Sequence, residues 1–178
     1  MSSPIEKRAA EVLRAAGVRK APVPVVAVAE HLGIRVESSV LGDDVSGLIV
    51  IKESGAIISY HEGHASVRQR FTIAHEIGHY VLHRASGPLF IDNNTYGIVM
   101  ARDEASSTGE VRREREANAF AAALLMPTEL IEKAVSDKHL DLADESALLE
   151  LAREFDVSAL AMTYRLVNLG YLKAPRPR

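Results

Sequence analysis

Phe71-Thr-Ile-Ala-His75-Glu76-Ile-Gly78-His79-Tyr-Val-Leu-His83 is the stretch on which the reading of this chain turns. Val67, Phe71, Ala74 and Gly78 recur along one stripe, so the segment from Ser66 to about Arg84 reads as a helix. Ser66-Val-Arg-Gln69 has the form of a capping box, which predicts the helix start. Gly87-Pro88 predicts its end. Residues i and i+4 of a helix lie on one face, one turn apart. His75 and His79 can then hold one tetrahedral zinc, with Glu76 projecting beside the ion, where it can take a proton from bound water. An amphipathic helix with surface histidines would show the same five residues. The apolar surroundings argue against it, because core-facing imidazoles need partners for their ring nitrogens. Gly78 costs about 1 kcal/mol relative to Ala inside a helix. Close approach of another segment would account for it.

A catalytic zinc takes three protein ligands and keeps one position open. The segment 108–126 reads as the helix that supplies the third. Ser107-Thr-Gly-Glu110 resembles a capping box at its start, and Pro127 ends it. Glu114 shares a stripe with Ala117, Ala121 and Leu125 and is preferred as ligand; Glu116 lies on another stripe, towards Phe120. Asn118, one turn after Glu114, can hydrogen-bond a ligand histidine. His83, a further turn along the first helix, can orient a ligand, contact substrate or simply suit the helix C-terminus. Tyr60, Tyr80 and Tyr96 are possible donors to a developing oxyanion. His61 and His64 read as solvated.

The rest of the chain fits around these helices. Residues 4–17 carry helical spacing at Ile5, Ala9, Val12, Leu13 and Ala16, and Ala21-Pro-Val-Pro24 is a stiff connector. Val25 to Leu32 reads as a short helix and Ile34 to Glu37 as a short strand. Ser46 to Ile51 and Ala56 to Tyr60 read as a hairpin with Gly55 in the turn. Residues 88–107 read as a long, weakly patterned loop of the kind that forms lids. Helices follow at about 128–136, 145–155 and 158–169. The expected fold is α+β: a mostly helical domain with a small antiparallel sheet packed on the His75–His79 helix, and a C-terminal helical pair. The whole chain, 1–178, reads as one domain. It divides into an N-terminal helix to about 20, a core to about 127 and a helical C-terminal part to about 170.

Composition narrows the function. The chain is 47% hydrophobic and 25% charged, as globular proteins are, with net charge -3. That balance lacks the basic footprint of a nucleic-acid or membrane-surface protein. There is no cysteine, so thiol chemistry and cysteine metal sites are excluded. No signal-peptide core or membrane span is readable, and a cytoplasmic location is expected. Leu151-Ala-x-x-Phe155-x-Val157-Ser to Arg165-Leu has helix-turn-helix spacing. A DNA-binding regulator, or a metal-bearing sensor without peptidase activity, is therefore the alternative to a hydrolase. From Glu129 onward, nine acidic residues face seven basic ones, which disfavours DNA.

Arg70-Phe-Thr-Ile-Ala-His75-Glu76-Ile-Gly-His79-Tyr-Val-Leu-His83, with Glu114-Arg-Glu-Ala-Asn118-Ala-Phe-Ala-Ala-Ala-Leu-Leu-Met-Pro127, resembles the ImmA/IrrE family of metallo-endopeptidases. Pro24 to Ile34, Ser46-Gly-Leu48 and the tail helix pair fit as well, so roughly residues 20–170 are covered. The resemblance implies a zincin-like fold, zinc ligated by His75, His79 and Glu114, and Glu76 as catalytic base. It also implies cytoplasmic, limited proteolysis of a protein partner, a helix-turn-helix repressor. Two departures stand out. The strand before the motif helix ends Ser59-Tyr60-His61 where the family often has Asn, and the loop between the motifs is longer. An edge strand at 56–60 could pair with an extended substrate.

Overall fold

A computed structural model of the chain describes residues 3–42, 45–52, 55–84, 89–92, 109–138, Leu142 and 144–173. Its elements are α1 (Pro4–Ala15), α2 (Val25–His31), β1 (Ile34–Ser39), β2 (Gly47–Lys52), β3 (Gly55–His61), α3 (Ser66–His83), β4 (Leu89–Asp92), α4 (Gly109–Leu125), α5 (Thr128–Lys138), α6 (Glu145–Phe155) and α7 (Ala159–Asn168). Strand order in the sheet is β1-β3-β2-β4. The α+β class, the small sheet packed on α3 and the C-terminal helical pair are all observed.

The sheet itself is mixed rather than antiparallel. β2 and β3 form the expected hairpin, pairing Gly47 with Tyr60, and Gly55 takes a positive φ of 135°. β1 lies parallel to β3, from Ile34 opposite Ala56 to Ser39 opposite His61. β3 is consequently an interior strand with no free edge for a substrate, which overturns the expected edge strand at 56–60. Part of the expected loop 88–107 is also a strand: β4 pairs antiparallel with β2, Gly47 opposite Asp92. Ser107, its capping box, Gly87-Pro88 and Tyr96 lie outside the described residues.

Helix starts follow local chemistry. Ser3 caps α1 by accepting from the Glu6 N–H at 3.2 Å, with proline in the first turn. The expected Ser66 capping box does not form, because Ser66 is already the first helical residue and Ala65 holds the cap position. Gln69 instead donates to the carbonyls of Glu62 and His64, both at 2.9 Å, and ties the helix to the preceding turn.

α3 is the central element. Every residue from Thr72 to His79 is buried, because the β2–β3 hairpin packs on one flank and α4 on another. The core joins Ile49 and Ile58 of the sheet with Ile73, Ala74 and Ile77 of α3 and Phe120, Ala121 and Leu124 of α4. α1 closes over α4 with Ala9, Val12 and Leu13. Each large side chain so buried contributes about 1.5–3 kcal/mol. Among the described residues no helix is long and apolar enough to cross a membrane.

Two arginines fasten the C-terminal pair. α6 ends at Asp156 in the left-handed conformation, and Ser158 caps α7 by accepting from the Ala161 N–H at 3.1 Å. Arg70 of α3 donates to the carbonyls of Asp156 (3.0 Å) and Val23 (2.9 Å) and pairs with the Asp156 carboxylate at 3.1 Å. Arg165 of α7 is buried. It donates to the Met126 carbonyl at 2.9 Å, to Thr128 Oγ1 at 3.3 Å and to both carboxylate oxygens of Glu6. The cation on the second helix of this pair is thus turned into the protein.

Burial pushes the Glu6 carboxyl towards the neutral form, but the Arg165 hydrogen bonds and charge, with the Thr128 hydroxyl, hold it below its ordinary value. A carboxyl lowered on folding adds stability above its unfolded value of about 4.3, and that gain is lost as pH falls towards the folded value. Glu6→Gln should therefore lower unfolding stability at pH 7 by on the order of 2 kcal/mol. In denaturant titrations the difference from wild type should shrink below about pH 4; a difference independent of pH would contradict the ion pair.

Candidate metal centre

The site is made by the approach of two helices. At Gly78 of α3 an added Cβ would stand 3.1 Å from both the Cα and the carbonyl oxygen of Ala117, and 3.3 Å from Phe120 Cβ. Any side chain there would require α4 to give way, which is the close approach that the mid-helix glycine predicts. On α4, Glu114 and Asn118 flank Ala117 by one turn and by one residue, and both reach the histidines of α3.

The Glu114 carboxylate spans the two rings. One oxygen is 3.1 Å from His75 Nε2 and the other 3.1 Å from His79 Nε2. The two Nε2 atoms are 3.0 Å apart. Asn118 Oδ1 lies 3.0 Å from His75 Nδ1. With the amide oxygen accepting, Nδ1 carries the proton and Nε2 turns its lone pair to the centre. His75 and His79 are buried, whereas the Glu114 side chain is 45% exposed and marks the open side. Burial disfavours ionised Glu114, but hydrogen bonds and charge from His75 and His79 outweigh it and hold the carboxyl far below the usual carboxylate range.

The donor set fits a metal ion. Ligand atoms of a tetrahedral site with bonds near 2.0–2.1 Å sit roughly 3.3 Å apart, close to the separations found. Two imidazole nitrogens and one carboxylate oxygen suit a borderline ion such as zinc. Among the described residues this is the one group of three or more such side chains that could hold a metal.

Glu76 is completely buried beside the group. Its neighbour on the sheet side is Gly47, which opens β2. A Cβ at 47 would come within 2.3 Å of Thr72 Cγ2, 3.1 Å of the Ser59 carbonyl oxygen and 3.7 Å of Glu76 Oε1. Gly47 and Thr72 therefore set how closely the sheet approaches this carboxylate. The sequence reading missed both, although Thr72 stands one turn before Glu76 and Gly47 opens an apolar strand.

The other residues singled out above lie elsewhere. Glu116 meets Arg112 at 2.9 Å and His83 at 3.5 Å rather than the ligand group. His83 is buried, its ring 5.7 Å from that of His79. Tyr60 lines a cavity of about 440 Å³ beside α3, with Val25, Gln69 and Arg70. Tyr80 lies under the Arg84 guanidinium, and the rings of His61 and His64 stack on each other.

Two histidines one turn apart on a buried helix, a glutamate between them and a carboxylate from a second helix make a candidate metal site with HExxH spacing. The chain belongs to the family described as the IrrE N-terminal-like domain, peptidase family M78, which matches residues 29–167. Among solved structures it is similar to a Mycobacterium tuberculosis transcriptional regulator, at 22% identity and a TM-score of 0.61. That similarity, which concerns the fold, covers 97% of this chain and 48% of the other, so this chain spans about half the regulator's length. No curated protein matches the chain.

With Asn118 Oδ1 3.0 Å from His75 Nδ1, Asn118→Ala is expected to weaken binding of added zinc by about 10–100-fold while leaving the fold intact. Competition against a chromogenic chelator measures this; unchanged affinity would remove Asn118 from the site.

Proposed function

We propose that this chain is a zinc-dependent endopeptidase that performs limited proteolysis of a protein partner, a helix-turn-helix transcriptional repressor, in a cytoplasmic stress or mobile-element response. The observation that carries the reading is the convergence of Glu114 on His75 and His79, with Glu76 buried alongside. Membership of the M78 peptidase family supports hydrolysis of peptide bonds. The repressor and the stress setting rest on the resemblance of the paired motifs to ImmA/IrrE proteins.

In this reading His75 Nε2, His79 Nε2 and the Glu114 carboxylate hold one zinc, which when bound supplies a Lewis acid for the scissile carbonyl and lowers the pKa of water. Glu76 takes the proton from the attacking water and delivers it to the leaving amine. Asn118 keeps the His75 ring in its ligating tautomer and orientation. Apolar packing around α3 keeps bulk water from the buried side of Glu76, so the proton it accepts is retained for the leaving group.

The second reading is a metal-bearing sensor or DNA-binding regulator. It is favoured by the structural neighbour, which is a transcriptional regulator. Against it, Arg165 is the only cation of α7 and is committed to Glu6 inside the protein. A DNA-reading helix needs such a charge at its surface.

The full chain should bind about one tight equivalent of zinc. Incubation with candidate repressors, above all those encoded nearby, should give a discrete, chelator-sensitive cleavage by mass spectrometry. Glu76→Gln should retain the metal and lose the cleavage. Absence of any metal binding would sink the reading; cleavage unaffected by Glu76→Gln would leave the sensor.

A further inference from the structure

One turn beyond the ligand group, the same two helices bring a second histidine and a second glutamate together. His83 follows His79 by one turn on α3, and Glu116 follows Glu114 by two residues on α4. The His83 residue is 8% exposed. Its ring hydrogen-bonds to the backbone of Arg113, and its Nε2 is fully buried without a hydrogen-bond partner. Nε2 lies 3.5 Å from Glu116 Oε2. The other oxygen of Glu116 accepts from Arg112 Nε at 2.9 Å.

A separation of 3.5 Å is too long for a charge-assisted hydrogen bond, which would close to about 2.7–2.9 Å. It is close to the roughly 3.3 Å between two donor atoms of one tetrahedral metal ion. An imidazole nitrogen and a carboxylate oxygen held across that gap have the spacing of two ligand atoms of one ion. We propose that His83 and Glu116 hold a second divalent cation of the zinc type, beside the His75–His79–Glu114 group. With two protein ligands and water completing the shell, it binds more weakly than the three-ligand site. The proposal rests on the placement of His83 and Glu116 and not on the peptidase reading.

The test is a calorimetric titration of the metal-free full chain with zinc alone. Wild type should take up a tight equivalent and then a weaker one. His83→Ala and Glu116→Gln should each lose the weaker equivalent and keep the tight one within about threefold. His75→Ala should lose the tight one. Glu116→Gln preserves side-chain shape, so it serves if His83→Ala disturbs folding. A single equivalent in wild type at excess zinc would overturn the proposal while leaving the peptidase reading in place. So would a weak equivalent that survives both substitutions, since it would then lie elsewhere, for example at His61 and His64. Absence of the tight equivalent from wild type would count against the peptidase reading instead.

Discussion

The contact between Gly78 and Ala117 is the constraint on which the rest depends. It joins the two halves of the site, because His75 and His79 belong to one helix and Glu114 and Asn118 to the other. Neither helix alone supplies a three-ligand set. Glycine costs about 1 kcal/mol in a helix interior, and here the missing side chain lets the α4 backbone come within 3.1 Å of where a Cβ would be. Carboxylate and amide reach the imidazoles from short side chains only because the two backbones are that close. Gly78 and Ala117 each lie within one turn of the site residues, so any change in helix separation is a change in ligand geometry.

A second glycine works on the opposite flank. Gly47 lets β2 lie against Thr72 and close to Glu76, so α3 is held between a sheet and a helix, each admitted by a residue without a side chain. That arrangement buries Glu76 while Glu114 stays accessible from solvent. The C-terminal pair is clamped from the other end of the molecule by Arg70 and Arg165. The pair turns at the left-handed Asp156, and its inward-facing residues serve the core through Leu151, Phe155, Met162 and Leu166.

Much of this is legible in the residues because its determinants are local. Helical spacing marks α1, α3, α4, α6 and α7, and the i, i+4 rule places His75 with His79. The preference for Glu114 over Glu116 followed from its stripe with Ala117 and Ala121, and in the structure Glu114 is the carboxylate that meets both histidines. What was not legible depends on pairing across the chain. The parallel register of β1 with β3 makes β3 interior, and no local pattern in Ala56 to Tyr60 reports that neighbour. β4 is a four-residue strand that pairs along the edge of β2, a partner its own short run does not report. The Ser66 cap failed by a single residue, since capping geometry is decided by where the first helical turn closes.

The measurement that bears most directly on this account is the zinc affinity of Gly78→Val, taken by chelator competition on protein shown by circular dichroism to be folded. A branched side chain at 78 must push α4 away and carry Glu114 and Asn118 with it. The account predicts that binding weakens by at least about tenfold, some 1.4 kcal/mol, with helix content retained. A folded Gly78→Val protein that binds zinc as tightly as wild type would contradict it, because the close approach of the two helices would then not be what assembles the metal centre.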